Sequence, residues 1–228
     1  MRIFAIDTAL EACSVAVLDT KLGAMVAQES RAMTRGHAEA LMPMIKRVID
    51  AARLDFAEID RIAVTTGPGS FTGLRVGIAA ARGIALAAGK PAVGLSTLAA
   101  FAAPFIAADD TIPIVAAIDA RHDHVYLQVV GPRGRTLFAP RLTPMREALR
   151  VASASGAPRV VGNAADLLAA RWPAGERPPS VLEQRGAPDI GWVARLGAAA
   201  SDTGAPPKPL YLRAPDAQPQ DAAQLARR

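Results

Sequence analysis

The sequence predicts an α/β protein of two lobes that share one order of elements, β-β-β-α-β-α. Three observations lead there. Apolar strands ending Ala5-Ile6-Asp7 and Ala117-Ile118-Asp119 open the two halves. Residues 4–26, set against 116–138 without a gap, place Val17 opposite Val129 and apolar positions opposite apolar positions through most of the block. Short Gly- or Asp-bearing turns separate the first three strands, the mark of an antiparallel meander.

In order, residues 3–6 read as a buried strand ending at Asp7, residues 13–18 alternate as a second strand, and residues 25–29 form a third. A helix is expected over 38–53, then the strand Ile62-Ala63-Val64-Thr65, a Gly67-Pro68-Gly69 turn, and a helix from Gly73 to about Ala88 capped by the Thr72 hydroxyl. Strand 92–95 and helix 97–106 close the first half. In the second, helix 144–154, strand 159–161, helix 164–171, strand 180–182 and helix 190–200 follow the repeated strands. The polar break Ala108-Asp109-Asp110-Thr111 divides a first lobe, 1–108, from a second, degenerate one, 109–204. Ala205-Pro206-Pro207-Lys208-Pro209 and the polar end make an extended arm and frayed tail over 205–228. Duplicated ribonuclease-H-like units with an aspartate closing each first strand are the layout of the actin-like ATPases, which hold nucleotide between two lobes.

Composition narrows the class. The 228 residues, 51% hydrophobic and 21% charged, suffice for a proper core. One cysteine, Cys13, excludes an internal disulfide and a cysteine zinc cluster. Met1-Arg2-Ile3-Phe4 runs straight into a strand, so no signal peptide is expected and the protein is placed in the cytoplasm. Residues 91–108 are uncharged, but Pro91, Ser96, Thr97 and Pro104 interrupt them, and they read as a buried strand and helix rather than a membrane span. A net charge of +5 and a pI near 10.0 invite a nucleic-acid partner, yet the basic residues are scattered and aromatics make up only 4% of the chain.

The chemistry-bearing motifs are incomplete. Gly67, Gly69 and Gly73 are spaced one residue too widely for the dinucleotide fingerprint, and no Gly-Lys-Ser/Thr follows. A strand, tight turn and helix N-terminus with Ser70 can meet an anion or a partner, and the sequence does not choose between them. Actin-like enzymes follow the first aspartate with x-Gly so that backbone N–H groups close on phosphate. Here the strands continue Asp7-Thr8-Ala9 and Asp119-Ala120-Arg121. Asp7 could hold a metal-bound nucleotide through water with Thr8 adding a hydrogen bond, or could cap its own turn. His37 has Leu41, not an imidazole, four residues on, which favours a capping or interface hydrogen bond. His122 and His124 flank Asp123 at a strand start, a spacing that places both rings on one face; no metal is expected from these two alone.

Two helices carry more apolar surface than a sheet requires. Leu41, Ile45, Val48 and Ala52 make one stripe of the 38–53 helix, which Met42 and Ile49 widen. In the helix after Gly73, Arg75, Ala79, Arg82 and Leu86 share a side away from Leu74, Ile78 and Ala81, with Gly77 and Gly83 letting a neighbour approach. The candidate partner interface is therefore His37, Leu41, Met42, Ile45, Ile49, Arg75, Ala79, Arg82 and Leu86.

Thr66-Gly67-Pro68-Gly69-Ser70-Phe71-Thr72-Gly73-Leu74-Arg75-Val76-Gly77, the N-terminal Ala5-Ile6-Asp7-Thr8 and His37-Ala38-Glu39-Ala40-Leu41-Met42-Pro43 together resemble the TsaB family over about residues 1–130, and beyond that only by pattern. The resemblance implies a non-catalytic partner of TsaD in the bacterial machinery that places threonylcarbamoyl on the adenosine beside the tRNA anticodon. It implies docking on TsaD through a helix bundle, a homodimer when TsaD is absent, a separate TsaE-type ATPase, and tRNA reached through the complex. TsaD-type proteins carry a His-x-x-x-His metal motif after a Lys-Pro-x-Val-Gly-like strand; here Thr97 and Phe101 follow Lys90-Pro91-Ala92-Val93-Gly94, and neither is a metal ligand. The glycoprotease label of this superfamily lacks its parts as well, with no Ser/His/Asp or Cys/His set. No intrinsic cofactor and no catalytic residue are expected, with ATP or ADP at the subunit joint left open near Asp7, Thr8, Gly67, Gly69 and Ser70. The alternative reading is an ATP-dependent phosphotransferase working through Asp7 and Asp119.

Overall fold

The structure is a computed structural model that describes residues 1–201 and 204–213. Of the arm and tail expected over 205–228, residues 214–228 lie outside the described residues. The first half runs β1 (Arg2–Asp7), β2 (Ala12–Asp19), β3 (Ala24–Ala32), α1 (His37–Ala52), β4 (Arg61–Gly67), α2 (Phe71–Ala88), β5 (Ala92–Ser96) and α3 (Thr97–Ala108). The second runs β6 (Ile114–Asp119), β7 (His124–Val130), β8 (Thr136–Pro144), α4 (Met145–Ser153), β9 (Arg159–Gly162), α5 (Ala165–Ala169), β10 (Val181–Gln184) and α6 (Ile190–Ala199).

The strand order β3-β2-β1-β4-β5 is matched by β8-β7-β6-β9-β10, with β1–β2 and β6–β7 antiparallel and β1–β4 and β6–β9 parallel. This is the ribonuclease-H-like order twice over, and the chain has the actin-like ATPase fold. Strands beginning at 2, 12 and 24 recur at 114, 124 and 136, the same gap-free offset that pairs Asp7 with Asp119. The first three strands of the repeat therefore kept their starting positions, and their lengths to within one residue, while outside the shared Ala-Ile-Asp strand end most side chains changed.

α2 starts two residues earlier than the sequence suggested. Ser70, not Thr72, is its cap: Ser70 is extended at φ −60°, ψ 126°, and its hydroxyl accepts from Gly73 N at 3.3 Å, while Thr72 is an exposed residue of the first turn. At the other end Gly89 takes the left-handed conformation, φ 65°, that closes a helix without a Cβ clash.

Each sheet carries its own helices on one face. α1 and α2 bury Leu41, Met44, Ile45, Leu74 and Ile78 against Phe4, Val15, Ile62 and Val64. α4 and α5 bury Met145, Ala148 and Leu168 against Val115, Leu127 and Val160. On the opposite faces the halves exchange. α6 lays Ile190, Val193 and Ala194 on Ile3, Ala5, Ala16 and Ala63 of the first sheet. α3 lays Leu98, Phe101 and Ala102 on Ile114, Ala116, Ile118 and Val161 of the second. The 108/109 division thus parts the strands of the two sheets but not the helices that cover them.

The exchange needs close contact. A Cβ on Gly197 of α6 would stand 2.4 Å from the Ala63 Cβ and 3.4 Å from Ile3 Cγ2. Gly197→Ala is expected to lower the unfolding free energy by about 1–3 kcal/mol through overpacking, measured as a drop in the urea midpoint with an unchanged slope.

Candidate functional site

β1 and β4 are adjacent parallel strands whose ends bring Asp7 beside Thr65. The Asp7 side chain is fully buried. Its Oδ1 accepts from the Thr65 hydroxyl and from Ala9 N at 3.2 Å, while Oδ2 has no partner among the described residues. Burial pushes the carboxyl from 3.8 up to about 6, against the opposing effects of the Thr65 and Ala9 hydrogen bonds and the nearby His37.

The turn after Asp7 is sealed by the loop after β4. The Thr8 hydroxyl donates to Gly73 O at 2.7 Å, and Ser70 N donates to Ala9 O at 2.7 Å. A Cβ at Gly69 would lie 2.3 Å from Ala9 O, and one at Gly73 would lie 2.1 Å from Thr8 O. Only glycine lets the two backbones meet so closely. A triphosphate and its hydrated metal would need this backbone and the Asp7 carboxylate turned outward. They are turned inward, and a nucleotide does not fit on Asp7.

Asp119, the repeat's counterpart, is exposed; its Oδ1 accepts from Arg121 N at 2.8 Å and its own N–H donates to Asn163 Oδ1 at 2.9 Å. It lines an interlobe cleft of about 440 Å³ with Glu11, Ser70, Phe71, Arg121 and Asn163. Arg121, His122 and Asp123 follow with φ of 60°, 50° and 58°, a left-handed turn costing about 1–2 kcal/mol per residue. This corrects the expected histidine face: His122 sits in that turn, β7 begins at His124, and His124 Nδ1–H donates back to His122 O at 2.6 Å. No group of three or more metal-ligating side chains forms among the described residues.

The arm over 204–213 crosses from one lobe to the other. Pro207 packs at Gly94, Leu210 N donates to Thr66 O at 2.7 Å, and Arg213 Nη1 donates to Ala120 O at 3.1 Å. Gly67, at φ 122°, is required there, because a Cβ would stand 2.9 Å from Leu210 O.

On the outer face, Met42 is 57% and Leu86 86% exposed, and Arg75, Ala79 and Arg82 are exposed too. Leu41, Ile45 and Ile49 are sealed in the lobe's core, so the interface expected of them is corrected: their spacing marked the inner stripe of α1. His37 is buried as well, its Nε2–H donating to Leu10 O at 3.1 Å, an internal tie between α1 and the first hairpin. Two apolar grooves flank α2. One, of about 560 Å³, lies toward α1 and is lined by Met42, Phe56, Ala80, Gly83, Ile84 and Ala87. The other, of about 650 Å³, lies toward the arm and includes Arg82, Gly83, Leu86, Lys90 and Pro207. By length and composition α2 is also apolar enough to cross a membrane, but its inner side, Leu74, Ile78, Ala81 and Ala85, lies in the core.

A family model described as TsaD: tRNA N6-adenosine threonylcarbamoyltransferase matches residues 27–161. A crystal structure described as an uncharacterized protein with similarity to peptidase YeaZ from Pseudomonas aeruginosa superposes with a TM-score of 0.78 at 30% identity, covering 93% of this chain and 99% of that one. The Escherichia coli (strain K12) tRNA threonylcarbamoyladenosine biosynthesis protein TsaB is 40% identical over 126 residues, 55% of this chain and 53% of its own length. The chain belongs to the TsaD family and is of TsaB/YeaZ type. An uncharacterized protein of Mycobacterium tuberculosis (strain ATCC 25618 / H37Rv) is 34% identical over 224 residues, 95% of this chain and 94% of its own. The chain spans rather more than half the length of the first curated TsaB relatives it matches.

In this TsaB/YeaZ-type chain the structure brings Asp7, Thr8, Gly67, Gly69 and Ser70 together, as a closed contact rather than an open cradle. It separates the outer-helix residues into a buried set and an exposed set. Phe56, Ala80, Ile84 and Ala87 were missed as groove residues; the i, i+4, i+7 spacing of Ala80, Ile84 and Ala87 beside Gly83 carried that signal. Tyr211 was missed because nothing in the local sequence ties it to Phe71.

The buried Asp7 makes stability depend on pH. Between about pH 4 and pH 6 the folded chain holds a proton that the unfolded chain has released, so stability falls as pH rises through that window. Asp7→Asn retains the oxygen that Thr65 and Ala9 bind and has no such slope. From pH 4 to pH 7.5 the wild type is expected to lose roughly 2 kcal/mol more than the variant in urea titrations at the two pH values.

Proposed function

We propose that this chain is a non-catalytic scaffold of tRNA threonylcarbamoyladenosine biosynthesis in the cytoplasm, docking a TsaD-type paralogue on α2 and the exposed edge of α1. With that paralogue it recruits a TsaE-type ATPase and reaches tRNA through the complex; alone it pairs with a second copy. One observation carries the docking: the two open apolar grooves that meet at Gly83, beside Met42 and Leu86, on a helix whose other side is already in the core. The biosynthetic role is supported by the name of the Escherichia coli relative, a tRNA threonylcarbamoyladenosine biosynthesis protein. ATP or ADP at the joint would sit in the interlobe cleft, not on Asp7. The phosphotransferase alternative through Asp7 and Asp119 is disfavoured because the Asp7 carboxyl is enclosed and its Oδ1 is taken up by Thr65 and Ala9; phosphoryl transfer by the isolated chain at enzymatic rates would favour it.

Gly83 provides a clean test, since a Cβ there meets nothing within 4 Å in the isolated chain. Gly83→Arg is expected to keep the melting temperature or raise it, because replacing an exposed helical glycine stabilises by up to about 1 kcal/mol. It should weaken capture of the co-expressed TsaD-type paralogue by about thirtyfold or more, the size of an interface hot spot. Met42→Asp and Leu86→Asp should weaken capture likewise, whereas Leu41→Asp should prevent folding. Undiminished co-purification of Gly83→Arg would refute docking at these grooves.

A further inference from the structure

Phe71, the first residue of α2, and Tyr211 of the arm stack with ring centroids 5.8 Å apart and planes at 28°, and they stay 54% and 49% exposed. Arg75, one turn beyond Phe71, places its guanidinium carbon 3.8 Å from the Phe71 ring centroid and donates from Nε to the Tyr211 hydroxyl at 3.2 Å. The arm is already held by Pro207 at Gly94, by Leu210 N on Thr66 O and by Arg213 on Ala120 O. An aromatic pair serving only as a latch would gain most by being buried; this one keeps about half its area in water on a chain otherwise poor in aromatics.

The charge around the pair has one sign along the helix and the arm. α2 and residues 204–213 contain Arg75, Arg82, Lys208 and Arg213 and no carboxylate. Arg75, Arg82 and Lys208 take part in none of the ion pairs found among the described residues. On the cleft side Arg121 adds a cation, but Glu11 and Asp119 line the same space, so an anionic strand is favoured along α2 and the arm rather than into the cleft.

We propose that Phe71, Arg75 and Tyr211 form a contact site for single-stranded RNA, with a base stacking on the exposed aromatic pair and the adjoining phosphates against Arg75 and Lys208. Stacked aromatics beside unpaired cations are the equipment for holding an unpaired strand with little sequence preference. A duplex hides its base faces, so a loop or single-stranded segment is the form this site accepts. The contact needs no partner subunit and stands or fails separately from docking at Gly83.

The test is fluorescence anisotropy of a short labelled oligoribonucleotide with the full chain at low salt, beside the same sequence as a duplex. The intact chain is expected to bind the single strand more tightly than the duplex, with affinity falling as salt rises. Tyr211→Ala should cost about tenfold in affinity, and Tyr211→Phe should retain it. Arg75→Gln should weaken binding and make the log–log salt slope shallower by about 0.7, while Arg31→Gln, on the exposed edge of β3, should change neither. Melting temperatures of all variants and their capture of the TsaD-type paralogue are recorded alongside, and capture should be unchanged for Tyr211→Ala. The proposal is overturned if the intact chain shows no saturable binding, or if Tyr211→Ala and Arg75→Gln bind as well as wild type. A lower melting temperature with unaltered RNA affinity would reduce the cluster to an arm latch. Displacement of the RNA by AMP at equal affinity would make it a mononucleotide pocket instead.

Discussion

Where the backbone of Gly69 and Gly73 lies against the carbonyls of Ala9 and Thr8, two segments more than fifty residues apart are joined with no side chain between them. That contact sets the height at which α2 leaves the sheet, because Ser70 both donates to Ala9 O and caps the helix. It also encloses Asp7, whose position at the end of a parallel strand would otherwise open onto the cleft. A Cβ at either glycine would force the loop outward and uncover the carboxyl together with the turn. Sealing this turn and fixing the direction of α2 are thus one structural event.

The consequence for chemistry is a division between the two halves. Asp7 and Asp119 occupy equivalent strand ends, yet one is enclosed with an unpartnered oxygen and the other is exposed beside Arg121. A carboxyl enclosed by backbone and bonded inward cannot turn to orient a metal ion, while an exposed aspartate bonded to its own turn mainly holds that turn. Open space lies in the cleft beside Asp119 and, more apolar, along the outer helices and the arm.

The exchange of α3 and α6 explains why so much of α2 is left uncovered. Both helices are taken up between the two sheets, where they satisfy the inner faces, so among the described residues no helix packs outside α1 and α2. The described residues line both grooves beside α2 but fill neither. The arm, arriving last, covers the end of β4 and leaves its aromatic ring beside Phe71 rather than under it.

Most of the fold was legible from residues alone. The offset that pairs Asp7 with Asp119 predicted all three repeated strands, because strand length and hydrophobic alternation are local properties. The end of α2 was legible for the same reason, since a left-handed glycine closes a helix whatever surrounds it, whereas its start depended on which hydroxyl the Ala9 contact brings into place. The exposed face of the outer helices was half legible. Apolar spacing marked α1 and α2 as unusually greasy but could not separate Leu41, Ile45 and Ile49 from Met42 and Leu86, because burial depends on what packs above a helix. By itself the sequence determined the order, length and amphipathic character of the elements, since these follow from neighbours a few residues apart. Only the tertiary structure decided that Asp7 is shut in, that α3 and α6 trade sheets, and that Tyr211 meets Phe71, because each of these rests on atoms brought together from distant parts of the chain.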